Sequence, residues 1–96
     1  MKQIFALTLV LLIGCSKPDE WTAFVYPDID NMPGSEQSEN YIIGKFETFE
    51  ACQVGAIDRM RTNQSQTGKQ GAYVCGLNCA HNKEFGNLLV CKEKHK

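Results

Sequence analysis

Five cysteines in a chain of 96 residues are the feature that most limits what this sequence can fold into. Four of them, Cys52, Cys75, Cys79 and Cys91, lie in the second half, whereas Cys15 stands near the start. A chain this short forms at most one small domain, and a small core is usually reinforced by covalent cross-links. Which sulfurs can pair depends on whether Cys15 belongs to the same set, and its neighbours in sequence bear on that question.

The residues before Cys15 have the composition of a secretory signal. The segment from Ile4 to Ile13 is apolar apart from Thr8, and one lysine precedes it. Ten helical residues extend about 15 Å, against roughly 30 Å of hydrocarbon, so this run is too short to span a bilayer. Its length is that of the apolar region of a signal peptide, which is removed from the mature protein.

The end of this run, Leu12-Ile13-Gly14-Cys15, resembles the lipobox of bacterial lipoproteins. Leu12 has the −3 position, the small residue Gly14 the −1 position, and Cys15 the +1 position. The resemblance implies that a diacylglycerol is joined to the Cys15 sulfur, that residues 1–14 are cleaved off, and that the new amino terminus is usually acylated as well. Ser16 is similar to the residue found there in lipoproteins sorted to the outer membrane. A lipid-anchored envelope protein that faces the periplasm is therefore expected, with the membrane as its first partner.

Residues 15–20 are expected to form a lipidated tether, and residues 21–96 the small domain. The spacer from Ser16 to Glu20 reaches roughly 17 Å when fully extended, and Pro18 stiffens it. The domain should therefore lie close to the lipid headgroups.

With Cys15 assigned to lipid, an even set of four cysteines remains, which in a short exported chain indicates two disulfides. We favour Cys52–Cys75 with Cys79–Cys91 and leave Cys52–Cys79 with Cys75–Cys91 open. A helix antiparallel to the second strand brings Cys52 near both Cys75 and Cys79. Pairing Cys75 with Cys79 ranks last because it closes a very small loop.

Metal and redox sites fit the cysteine spacing less well. Zinc would need four thiolates, but only Cys75 and Cys79 are closely spaced, and their separation is one residue wider than the Cys-x-x-Cys redox motif. The alternating Asp28 and Asp30 suggest calcium, but Met32 and Pro33 do not fit a calcium-binding loop. Neither a metal nor a cofactor is predicted.

The mature chain predicts an α+β fold of β–α–β–β order, with one helix packed on a short antiparallel sheet and stapled by disulfides. The predicted strands are Trp21–Tyr26, Ala72–Gly76 and Leu88–Glu93, with a short extended piece at 41–43. The polar segments 28–40, 62–71 and 78–87 are predicted to be loops.

One helix is expected between the first two strands. Thr48 can cap it, and Phe49, Cys52, Ala56 and Met60 recur at helical spacing as its buried stripe. The arginines at 59 and 61 would then lie in its last turns. Gly55 inside the helix costs stability unless it allows a close approach to a neighbouring element.

Catalytic candidates are few. His81 lies in a predicted loop, and His95 lies in the terminal tail, where we expect it to be solvated. Cysteines in disulfides supply no thiolate nucleophile. No catalytic residue is predicted, and an enzyme is not expected.

Charge excludes some partners. Ten basic and eleven acidic residues leave a net charge of −1, without the basic footprint of a nucleic-acid-binding protein or a polybasic strip for a membrane surface. The basic residues cluster only at Lys92, Lys94 and Lys96, which we expect to be a frayed, solvated tail.

The specific role is not predicted beyond location. A protein-binding or accessory envelope component, with an unidentified partner, is preferred over a purely structural envelope lipoprotein. Trp21, Phe24 and Tyr26 on the first strand could carry a protein contact, although core packing is the commoner use of such residues. The pattern TFEAC…YVCGLNC…VCKE resembles small cysteine-containing exported proteins of proteobacteria that have no assigned activity.

Overall fold

The computed structural model describes residues 18–96, so the predicted signal peptide, Cys15 and the start of the tether lie outside the described residues. Within this range one long helix and a four-stranded antiparallel sheet form the body of the domain, and two strands form a separate ribbon. The predicted α+β class, with one helix packed on a small antiparallel sheet, is confirmed.

The strands are β1 (Trp21–Tyr26), β2 (Ile42–Phe46), β3 (Ala72–Leu77), β4 (Ala80–Asn82), β5 (Leu88–Val90) and β6 (Glu93–His95). The main sheet has the order β2-β1-β3-β6, and β4 pairs with β5 in the ribbon. All pairs are antiparallel. Because β2 and β3 both pair with β1, they run parallel to each other, and the helix that connects them crosses the sheet.

The helix α1 spans Phe49–Thr67. Thr48 caps it as predicted, since its side-chain hydroxyl accepts a hydrogen bond of 3.1 Å from the backbone N–H of Ala51. Gly68 ends it in the left-handed conformation, with φ of 74°. The predicted loop at 62–71 is therefore wrong over 62–67, and the arginines at 59 and 61 do not lie in the last turn. The helical conformation of residues 62–67 was not predictable from their polar composition, because this final part of α1 is mostly exposed and has no apolar stripe.

The core lies between α1 and one face of the sheet. Ala23 and Val25 of β1, Cys75 of β3, and Cys52 and Ala56 of α1 are buried together there. Phe49 and Met60, the other members of the predicted stripe, pack against this cluster while half-buried. Fully burying a side chain of the size of Val25 contributes roughly 1.5–3 kcal/mol, so the contacts between β1 and the buried stripe stabilise the packing of α1 on the sheet.

The Cys52–Cys75 and Cys79–Cys91 disulfides are the favoured pairing of the sequence analysis. Cys52 lies in the first turn of α1 and Cys75 near the end of β3, which the antiparallel packing of helix on strand brings together. The first bridge is therefore part of the core, and the second joins the residue before β4 to the residue after β5.

The opposite face of the sheet is also covered. Thr22 and Phe24, which alternate with the core-facing residues of β1, are 2% and 3% exposed. A 3₁₀ helix at Ser35–Tyr41 contacts β1 and β5, and the rings of Tyr26 and Tyr41 lie 5.3 Å apart. This second layer was not predicted, because segments 28–40 and 78–87 have the composition of loops.

The end of the chain also differs from the prediction. The strand predicted at Leu88–Glu93 is two strands: β5 pairs with β4, and β6 pairs with β3 at the edge of the main sheet. The lysine-rich tail is thus in part a paired strand. Exposure of its side chains, correctly expected from their polarity, did not indicate that its backbone would be hydrogen-bonded.

Candidate functional site

An apolar groove of about 320 Å³ lies on the face of the sheet opposite α1. It is lined by Ser35, Phe85, Leu88, Leu89, Val90, Cys91 and Lys94. Phe85 is 57% exposed and Val90 38% exposed, so two of its apolar side chains meet solvent. Phe85 and Val90 thus form a small exposed apolar surface in the groove that Lys94 also lines.

Polar contacts of His81 and Asn82 hold the elements that carry the apolar groove in place. Nε2 of His81 on β4 lies 2.8 Å from Oε1 of Glu39 on the 3₁₀ helix, which links the ribbon to that helix. The side chain of Asn82 caps the short 3₁₀ turn Lys83–Phe85 by accepting 2.8 Å from the backbone N–H of Glu84. His81 is therefore a half-exposed structural link in this arrangement.

Gly76 explains how the second disulfide lies against the sheet. A Cβ atom at this position would come within 2.7 Å of Cys79 Sγ, closer than real Cβ contacts allow. The bridge therefore packs directly on the backbone of β3, on the face that carries the apolar groove. Cys91 lines the groove, and Cys79 lines a neighbouring cleft with Pro18 and Glu20.

Strand β6 places charge beside the apolar groove. Lys94 pairs with Gly76 in register and lines the groove, whereas His95 pairs with Cys75 on the helix side. Lys94 and Lys96 also border Val74, which alternates with Cys75 along β3. Lys94 therefore lies on the groove side of the sheet, and Lys96, which directly follows β6, lines a cleft with Lys94, His95 and Val74.

The residues after Pro18 are fastened to the domain by Asn78. The backbone N–H of Glu20 donates to Asn78 Oδ1 at 2.9 Å, and the backbone N–H of Asn78 donates to the Glu20 carbonyl at 2.8 Å. The side-chain amide of Asn78 donates to Asp19 Oδ1 at 3.2 Å. Asn78 adopts φ of 48°, a left-handed conformation that asparagine tolerates better than most residues.

The aromatic residues of β1 have different surroundings. Phe24 is buried, whereas Trp21 packs edge-on against Phe49, with ring centroids 5.3 Å apart. The His95 ring lies 6.1 Å from that of Trp21, and its Nε2 is 2.9 Å from Glu93 Oε1. His95 is half-exposed, in keeping with the expected solvation, and the pairing of β6 with β3 places its ring beside Trp21.

Tyr26 is the aromatic residue whose titration is altered. Burial raises the pKa of its hydroxyl, and the nearby Tyr41 raises it further. Both effects disfavour the phenolate, so this side chain stays neutral over the physiological range. It serves packing on the second face rather than acid–base chemistry.

Sequence reasoning identified the cysteines but missed the groove. Phe85 and Val90 lie in short elements with no apolar periodicity, and they come together with Ser35 only through the tertiary fold. The one feature of the sequence that could have indicated the groove is the phenylalanine at 85, which precedes a glycine in an otherwise polar segment.

Over the described part of the chain, no helix is both long and apolar enough to cross a membrane. In the same residues, 18–96, there is no group of three or more histidine, cysteine or acidic side chains placed to hold a metal ion. No known protein family, curated protein or solved structure matches this chain.

Proposed function

We propose that this chain is a bacterial lipoprotein whose residues 1–14 are removed and whose Cys15 carries the lipid anchor. The sequence Leu12-Ile13-Gly14-Cys15 is the single observation that carries the proposal. Two disulfides in the folded domain support it, since such bonds persist in oxidising compartments such as the periplasm. The four bridging cysteines pair among themselves, so the fold does not require the Cys15 sulfur.

The anchor would hold the domain at the membrane surface. Two or more acyl chains give stable attachment, since each buried CH₂ contributes about 0.8 kcal/mol. The hydrogen bonds of Asp19 and Glu20 to Asn78 leave Ser16, Lys17 and Pro18 as the spacer. Three extended residues reach only about 10 Å, so the domain would lie next to the headgroups. The residue after Cys15, Ser16, favours the outer membrane with the domain in the periplasm.

Replacing Cys15 with Ala tests the anchor directly. We expect the Cys15→Ala chain to remain an unprocessed precursor, or to lack lipid, and to incorporate no labelled palmitate. Ser16→Asp is the matched control: it should still incorporate palmitate, but it should move towards the inner membrane in a density gradient. Palmitate in the Cys15→Ala chain would show that the lipid is attached elsewhere.

Intact mass spectrometry of the native protein, with and without reductant, gives the complementary measurement. We expect a chain that starts at Cys15, carries fatty-acid mass, and gains two pairs of hydrogens on full reduction. A native chain that starts at Met1, or one without acyl mass, would contradict the proposal.

Within the envelope, the domain is proposed to be an accessory module that contacts another protein. The loop after β1 lies at the end of the domain away from the tether, and it exposes Ile29 (46%) and Met32 (48%). The backbone N–H of Ile29 donates a hydrogen bond of 2.8 Å to the Gln70 carbonyl. Nζ of Lys69 lies 3.5 Å from Oδ2 of Asp28, and the two contacts hold the loop in place. A fixed loop with exposed apolar side chains is suited to docking.

A photoreactive side chain at Ile29 tests the accessory role against a purely structural one. We expect one discrete adduct at position 29 in whole cells. The control is the same side chain at Val54, which is 69% exposed on α1. Absence of an adduct at Ile29, or equal labelling at Val54, would favour the structural role.

A further inference from the structure

The tether and the apolar groove lie on adjoining surfaces. Pro18 borders the same cleft as Cys79, and the disulfide partner of Cys79, Cys91, lines the apolar groove. Any membrane that holds residue 15 must therefore lie near this part of the domain. This step rests on the proposed lipid anchor.

Two surfaces flank Pro18, and they differ in charge. One is a cleft lined by Asp19, Glu20 and Glu47, where Lys45, the cation among its described lining residues, lies 3.7 Å from a Glu20 oxygen. The other begins as the cleft that Glu20 shares with Pro18 and Cys79, and it leads past the disulfide to the apolar groove, which no carboxylate lines within the described residues. An anionic bilayer would therefore repel the first surface more strongly than the apolar groove, whose charged lining residue is Lys94.

Lys94 of β6 and Lys96, which follows the end of that strand, complete the second surface. Lys94 lines the apolar groove, and Lys96 lines a further cleft together with Lys94, His95 and Val74. Glu93 belongs to the opposite side, where it bonds His95, and Glu84 neighbours Phe85 without lining the groove. Exposed aromatic and aliphatic side chains next to lysines are typical of surfaces that lie in the membrane interface.

We propose that the apolar groove, together with Lys94 and Lys96, forms a membrane-contact surface for anionic phospholipid. Phe85 and Val90 enter the headgroup region, and Lys94 and Lys96 face the phosphates. The opposite layer, α1 with its exposed Val54, then faces away from the bilayer. The loop that carries Ile29 and Met32 remains accessible to a protein partner.

Depth-dependent fluorescence quenching tests this orientation. The acylated protein is reconstituted in vesicles of equal parts phosphatidylglycerol and phosphatidylcholine, with brominated acyl chains as the quencher. Phe85→Trp is compared with Val54→Trp, each after subtraction of the Trp21 signal from the unsubstituted protein. We expect quenching at position 85 to be at least twofold stronger than at 54. In the Lys94→Gln/Lys96→Gln background this excess should fall to the level of position 54.

Two results would overturn the proposal. One is equal quenching at positions 85 and 54, and the other is an excess at 85 that is unchanged in vesicles of phosphatidylcholine alone. Either result would leave the apolar groove open to a protein partner. Acyl mass in the reconstituted sample separates the two proposals, because its absence refutes the anchor, whereas equal quenching in its presence refutes only the orientation.

Hydrogen exchange on the unsubstituted protein provides a second test that needs no variant. Amides of residues 84–91 should exchange more slowly on anionic vesicles than in detergent, and those of the loop at 27–34 should not change. Equal exchange of residues 84–91 in both conditions would also count against the membrane-contact surface.

Discussion

At the scale of single residues, the position of the second disulfide requires a residue without a side chain, Gly76. Gly76 lies in β3 beneath Cys79 and Cys91, and a Cβ there would also come within 3.1 Å of Cys91 Cβ. Both obstructing groups are held by a covalent bridge, so neither can move far. Position 76 therefore requires glycine because of packing, and its backbone is not left-handed.

Replacing Gly76 with Ala should reduce the free energy of unfolding by about 1–3 kcal/mol, the usual cost of an overpacked site. Gly44→Ala is the matched control, because Gly44 also lies in a strand of this sheet and its Cβ would meet only the Phe46 ring at an ordinary 3.6 Å. Urea denaturation followed by circular dichroism measures both. Equal stability of the two variants would show that the bridge does not press on β3.

At the scale of elements, the position of α1 depends on how closely it approaches β2. A Cβ at Gly55 would lie 2.7 Å from Cζ of Phe46, so glycine lets the helix approach the aromatic ring. A mid-helix glycine costs about 1 kcal/mol relative to alanine. The close packing of α1 against the Phe46 ring is the reason for a glycine at this position.

Gly55→Ala should therefore lower stability by about 1 kcal/mol, despite the gain in helix propensity, because the clash exceeds that gain. In a Phe46→Leu background, which removes the end of the ring, the same change should cost less. A double-mutant cycle measured by thermal or urea unfolding should give a coupling of roughly 0.5–3 kcal/mol. Additive effects of the two substitutions would show that Gly55 and Phe46 do not limit each other.

At the scale of the whole molecule, the two disulfides have different environments. Cys52 and Cys75 are 0% exposed inside the core, whereas Cys79 and Cys91 are half-buried and border open clefts. Thiol–disulfide exchange requires a thiolate to reach a sulfur atom, so access sets the order of reduction. The ribbon of β4 and β5 should thus be released before the core opens.

Mild dithiothreitol under native conditions should reduce Cys79–Cys91 first and leave Cys52–Cys75 intact until the domain unfolds. Alkylation followed by peptide mass spectrometry assigns the labelled cysteines. Loss of either bridge should destabilise the domain by about 2–4 kcal/mol. Labelling of Cys52 and Cys75 at the same rate as Cys79 and Cys91 would contradict this order.

Much of the main body was predictable from local chemistry. The aromatic and β-branched composition of β1, the Thr48 cap and the helical spacing of Cys52 and Ala56 specify one strand and one helix, because these signals lie within a few residues of each other. The last turns of α1 escaped prediction since exposed helix carries no apolar stripe. The 3₁₀ helix and the β4–β5 ribbon escaped because short elements depend on their partners for stability.

The amino-acid sequence by itself determined the α+β class and the even set of four bridging cysteines, and its Leu12-Ile13-Gly14-Cys15 segment resembles a lipobox, from which the anchor is proposed. These are local or countable properties of the chain. The tertiary structure decided which cysteines pair, that β6 is a paired strand, and that Phe85, Val90 and Lys94 share one surface. Such juxtapositions depend on strand register and on the way segments far apart in sequence pack, and no local pattern encodes them.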